Sequence, residues 1–152
     1  MADFLYLDHN CFQRGFDDQS QFRIRMEAIA CEAVFANAEA GNVRLAWSFM
    51  HEDEAALCPF PDRQLEALSL SRLCEVRIGP KEEIRTKAKQ YQREASLSSK
   101  GALHLACAVD AGAKVLLTCD DRFLRRARRL KLEIEILNPV EYVRQMEGDA
   151  ES

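Results

Sequence analysis

Val115, Leu116, Leu117 and Thr118 form a short apolar run, with Lys114 before it and two carboxylates, Asp120 and Asp121, just after it. An unbroken apolar run bounded by charge is the pattern of a central strand in a parallel sheet, covered on both faces. Ligands of open α/β sheets bind outside the carboxyl ends of such strands. Asp120 and Asp121 therefore fall at the rim where chemistry is done. A simpler role is also open: an Asp after a strand is a favoured N-cap, here Asp121 ahead of Phe123 and Leu124. The strand-then-acid pattern occurs twice more, which weighs for the rim. Residues 4–7 precede Asp8, and residues 43–49 precede His51-Glu52-Asp53-Glu54. The acids of this last run also suit a first helical turn, where they complement the helix dipole.

The remaining elements follow from periodicity and punctuation. Residues 21–40 carry Ile24, Ala28, Cys31, Phe35 and Ala38 at steps of three or four, an amphipathic helix stopped by Gly41 and Asn42. After a break at Cys58-Pro59-Phe60-Pro61, a helix is expected over 62–73 and a short edge strand over 75–78. Pro80 opens a charged helix over 81–94. Ser98 or Ser99 caps another over 101–111, which Gly112 ends. A basic helix over 122–129, a strand over 133–137 and a helix over 140–146 complete the order. Residues 9–21 read as a loop and 147–152 as a polar, frayed tail. Strands alternating with helices in 152 residues imply one domain, residues 1–146. Its class is α/β, three layers, with a mostly parallel sheet of about five strands between helices. Right-handed crossovers place every strand's carboxyl end on one rim, so Asp8, Glu54 and Asp120 converge.

Carboxylates gathered in a shallow site repel unless a cation joins them, and hard oxygen donors select Mg2+ or Mn2+ over soft metals. Such an ion lowers the pKa of a bound water and offsets charge on a phosphate under attack. The net charge of −4 does not advertise nucleic-acid binding, but it is uneven. Five arginines and one lysine, with no acid, lie between residues 122 and 131. Arg122, Arg125, Arg126 and Arg129 are candidates for holding nucleic-acid phosphates; a solvated face or an acidic partner protein is the alternative. The six cysteines stand singly, with no metal-ligand spacing, so neither zinc nor a disulfide framework is indicated. The absence of a Gly-rich phosphate loop argues against a doubly wound phosphotransferase. No stretch approaches the ~20 apolar residues of a membrane span, and the first residues do not match a signal peptide. A reduced, cytoplasmic protein with no membrane partner is expected.

Four segments in order, Tyr6-Leu7-Asp8-His9-Asn10, Trp47-Ser48 with Glu54 after it, Gly101-Ala102-Leu103-His104-Leu105-Ala106-Cys107, and Leu117-Thr118-Cys119-Asp120-Asp121-Arg122-Phe123-Leu124, resemble the successive motifs of PIN domains. These are small metal-dependent ribonucleases, many of them toxin halves of bacterial toxin–antitoxin pairs. The resemblance implies that Asp8, Glu54 and Asp120 are catalytic acids holding Mg2+ or Mn2+, with Asp121 adding a carboxylate. It implies that Asn10 and Thr118 support them by hydrogen bonding, and that Glu52 replaces Glu54 if the register shifts by two. His104 matches a PIN-type position and is read first as a helix histidine packed beside the sheet. RNA is the implied substrate, with an antitoxin protein and a second copy of the chain as implied partners. One position departs from the pattern. PIN domains usually carry an Asp opening the Ala-Leu-His-Leu-Ala helix, where this chain has Gly101 preceded by Lys100. Glycine offers no ligand, and this leaves a second reading: a degenerate PIN module that binds RNA or protein without cutting.

Overall fold

The inner strands of the sheet bury both faces, and their side chains sort accordingly. In a computed structural model, which describes residues 2–151 and the side chains of residues 2–148, β1 (Asp3–Leu7) is the central strand. Leu5 and Leu7 point to one face and Tyr6 to the other, as the period of two requires. α1 (His9–Gln13) and α2 (Phe22–Glu39) follow, then β2 (Val43–Ser48), α3 (Phe49–Ala56) and α4 (Pro61–Leu70). β3 (Val76–Ile78), α5 (Glu82–Ala95), α6 (Ser99–Ala111), β4 (Val115–Leu117), α7 (Asp121–Ala127), β5 (Glu135–Leu137) and α8 (Pro139–Glu151) complete the chain. The five strands pair in parallel in the order β3-β2-β1-β4-β5. The α/β, three-layer expectation holds.

Two cores flank the sheet. Leu5, Leu45, Trp47, Val115 and Leu117 pack with Cys31 and Val34 of α2 and Tyr142 of α8. Tyr6, Ala46, Leu116 and Ile136 pack against Ile84 and Ala88 of α5, Leu105 of α6 and Leu124 of α7. The alanines of α6 let that helix lie close on the strands, and Gly112, at φ 79°, ends it in the left-handed region that only glycine adopts freely.

Local differences from the sequence reading have local causes. Residues 9–13 form a helix rather than a loop; this single turn buries only Cys11 and Phe12, too few apolar positions to show a period. The strand expected over 43–49 yields Phe49 to α3, because Ser48 and His51 make a reciprocal cap there. The helix expected over 62–73 ends at Leu70 and tightens into a 3-10 turn, Ser71–Leu73. The last helix continues through Glu151, past the apolar pattern that ends at Met146. Ser152, in the expected frayed tail, lies outside the described residues. Among the described residues no helix is long and apolar enough to cross a membrane.

The strand order sets where the site lies. From β1 the chain builds outward through β2 to β3, then returns to lay β4 on the other side of β1. The β1/β4 boundary is the topological switch point, where adjoining strand ends diverge and leave a crevice.

Candidate metal centre at the sheet switch point

Asp8 leaves the end of β1 and Thr118 the end of β4, so adjacent strands deliver them side by side. The Asp8 backbone N–H donates to Leu117 O at 2.8 Å, which fixes the pair in register. The Thr118 hydroxyl donates to Asp8 Oδ2 at 2.8 Å, and Asn10 Nδ2 donates to the same oxygen at 3.1 Å. Thr118 Oγ1 also accepts the Asp120 N–H at 3.1 Å. The Asn10 carbonyl oxygen accepts the Cys119 N–H at 3.1 Å. One hydroxyl and one amide thus tie the two strand ends together. Asp120 is the N-cap of α7: its Oδ1 accepts the N–H groups of Arg122 and Phe123 at 3.0 and 3.1 Å. The capping role that the sequence offered to Asp121 belongs to Asp120, which serves as cap and rim acid together.

Glu54 arrives from α3 and meets His104 of α6, with Oε1 at 2.5 Å from Nε2. Burial by itself would raise the Glu54 carboxyl; the hydrogen bond and charge of His104 outweigh it and bring the pKa below the ordinary carboxylate value. Behind His104 runs a buried polar chain. His104 Nδ1 lies 2.6 Å from the Tyr6 hydroxyl, and that hydroxyl lies 2.8 Å from Ser48 Oγ. Ser48 N–H donates to His51 Nδ1 at 2.9 Å, so His51 carries its proton on Nε2 and donates it to Leu7 O at 2.6 Å. One hydrogen-bond assignment satisfies the chain: Ser48 donates to Tyr6, Tyr6 to His104 Nδ1 and His104 Nε2–H to Glu54. Burial keeps the Tyr6 hydroxyl protonated and pushes His51 well below its ordinary value.

Asp8, Glu54, Asp120, His9, Lys100 and His104 line one cavity of about 300 Å³, with Asn10, Ser98, Gly101 and Phe123. The structure does not bring Asp121 into it. Both Asp121 oxygens are held by the Arg23 guanidinium, at 2.5 and 2.6 Å. Glu52 turns to Trp47 Nε1 at 2.6 Å, whereas Glu54 lines the cavity. Arg122, Arg125 and Arg129 are exposed on α7 and beyond its end, and make no side-chain hydrogen bond among the described residues. Arg126 instead donates to Ser96 O at 2.8 Å and anchors the loop before α6. The sequence reading missed Tyr6, His9, Ser48 and His51. Two signals were legible: the Ser48-to-His51 spacing of three, a cap spacing, and a tyrosine hydroxyl within the apolar 4–7 run.

The PIN domain family model matches residues 5–129, most of the chain and all of the site. The chain belongs to the PIN domain family. The crystal structure of FitAcB from Neisseria gonorrhoeae is similar at a TM-score of 0.58 and 16% identity, over 89% of this chain and 97% of that one. At that identity the likeness is one of fold. Among curated proteins nothing matches.

At Gly101, where the sequence resemblance leads one to expect an acid, the structure leaves little room for a side chain. A Cβ at Gly101 would stand 2.8 Å from Phe123 Cδ1, 3.1 Å from Phe123 Cε1 and 3.2 Å from Ser98 Oγ. The buried Phe123 ring thus crowds the position of any Cβ here. The three acids that remain each keep one oxygen, Asp8 Oδ1, Glu54 Oε2 and Asp120 Oδ2, free of hydrogen bonds among the described residues. As a set these oxygens do not close to within 4.8 Å of one another. Magnesium retains several waters and takes only one or two carboxylates directly. Three hard oxygen donors in one cavity suit such a partly hydrated ion by their chemistry.

Proposed function

We propose that this PIN domain is a metal-dependent endoribonuclease. The observation that carries the reading is the Asp8 carboxylate, fixed by Thr118 and Asn10 in one cavity with Asp120 and Glu54. Asp8, Glu54 and Asp120 would hold Mg2+ or Mn2+, which supplies a Lewis acid that lowers the pKa of water and offsets charge at the phosphate. The protein's own groups do the positioning. His104 Nε2–H holds Glu54 ionised, and Thr118 leaves Asp8 Oδ1 facing the cavity. The exposed Lys100 at the cavity mouth attracts the scissile phosphate, and Arg122, Arg125 and Arg129 hold neighbouring ones. A hollow of about 480 Å³ next to the acids shares His9, Glu54 and Lys100 with them and is walled by Leu57, Pro59 and Phe60. An unpaired base can stack there.

The test is incubation of the purified chain with single-stranded RNA and Mn2+. Cleavage that requires the ion and vanishes in Asp8→Asn supports the reading; equal cleavage by that variant assigns it elsewhere. Phe123 in the space beside Gly101 favours a second reading, a PIN module that binds RNA or a protein without cutting. RNA retained but uncut by the intact chain selects it. Toxin action with an antitoxin partner rests on the family resemblance. Growth arrest on expression, relieved by a neighbouring small reading frame, is its test, and sedimentation tests the homodimer.

A further inference from the structure

Three cysteines far apart in sequence meet beneath the acid cluster. Cys11 stands on α1, Cys31 on α2 and Cys119 between β4 and α7; all three are buried, and their sulfurs lie within 4.8 Å of one another. Cys11 directly follows Asn10, and Cys119 directly precedes Asp120, so the sulfurs share their backbone with two residues of the acid site. Cys11 Sγ also lies 3.5 Å from Leu117 O and from Asn10 Oδ1. Cys58, Cys74 and Cys107 lie outside this cluster.

We propose that Cys11, Cys31 and Cys119 form a binding site for a soft, thiophilic d10 metal ion, Zn2+ or Cu(I), which fastens the floor of the acid cluster. Metal–sulfur bonds of about 2.3 Å separate sulfurs by about 4 Å in a trigonal or tetrahedral shell, close to the observed grouping. Thiolates select soft ions, whereas the carboxylates above select hard ones, so the two sites do not compete for one metal. Three sulfurs complete a trigonal shell for Cu(I); Zn2+ takes a fourth ligand as well. Each metal–sulfur bond replaces an S–H bond, and the proton passes to solvent. A bound ion would join α1, α2 and the β4–α7 connection, and so hold Asn10 and Asp120 at fixed separation.

The reduced, intact chain is titrated anaerobically with Cd2+, and wild type is compared with Cys31→Ser and Cys58→Ser. One equivalent, with a thiolate-to-cadmium charge-transfer band that Cys31→Ser loses and Cys58→Ser keeps, is the expected result. Saturating Zn2+ or Cu(I) then raises the melting temperature by roughly 5–10 °C, and competition with chromophoric chelators identifies the ion that binds more tightly. Absence of the band, or its survival in Cys31→Ser, overturns the proposal and leaves the thiols as packing groups. If Cys31→Ser does not fold, the wild type answers: metal must slow maleimide labelling of Cys11, Cys31 and Cys119 but not of Cys58, and equal labelling overturns it. Uptake that persists in Asp8→Asn separates this site from the acid centre.

Discussion

The edge of the Phe123 ring stands 2.8 Å from where a Gly101 Cβ would be. Phe123 is buried in the first turn of α7, and its backbone N–H is held by the Asp120 cap. Gly101→Asp alone is therefore expected to destabilise the fold by about 1–3 kcal/mol through overpacking, with no gain in Mn2+ affinity. Combined with Phe123→Leu, the same acid should bind Mn2+ roughly tenfold more tightly, since affinity follows ligand charge. Calorimetric titration of both variants decides; a gain in the single variant would show that the ring yields.

Thr118→Val keeps shape and removes the hydroxyl that serves both Asp8 and Asp120. Leaving these groups short of a partner costs about 1–3 kcal/mol, and Thr118→Ser should restore it. Denaturant melts of the two variants are the check, and a Val variant as stable as wild type would refute the link.

Tyr6→Phe cuts the buried chain between Ser48 and His104. The expected loss is about 1–3 kcal/mol, with Mn2+ affinity reduced because His104 no longer holds Glu54 in place. Equal stability and equal affinity would show that Tyr6 only fills space.

Histidine 51 gives the pH dependence a definite sign. Its folded pKa is depressed well below the ordinary 6.5 by burial, so below pH 6.5 the unfolded chain takes up a proton that the folded one refuses. Stability present above pH 6.5 is lost as pH falls toward the folded value. Glu54 adds the same direction lower down: its contribution is full above 4.5 and disappears as pH falls through its depressed folded pKa. The His51 ring resonances should not titrate between pH 8 and 6 in NMR; a midpoint near 6.5 would contradict the buried chain.

Arg122, Arg125 and Arg129 should act on RNA through charge alone. Replacing all three by Ala should weaken binding uniformly across sequences. The slope of log K against log salt should fall by roughly 0.7 for each lost phosphate contact to single-stranded RNA. An unchanged slope would place the RNA on another face.

Asp8 and Asp120 were legible because the carboxyl ends of parallel strands share a rim, and Glu54 joins them from α3. That inference needs only strand positions, and apolar runs reveal those. Asp121 was misplaced because neighbours on a first helical turn point in different directions. One caps and lines the cavity; the other reaches Arg23, 98 positions away. His104 is buried beside the sheet, as its helix position suggests, yet its ring also grips Glu54. No local pattern reports such a cross-helix pair.

The sequence by itself determined the α/β order, the parallel sheet and the acids at its strand ends, because strand and helix periods and their stops are local properties of the chain. Tertiary structure alone decided which side chains meet. The Tyr6–His104 chain, the Phe123 ring over Gly101 and the junction of Cys11, Cys31 and Cys119 join segments 20 to 108 residues apart. Their proximity depends on how the layers pack, and no spacing along the chain encodes it.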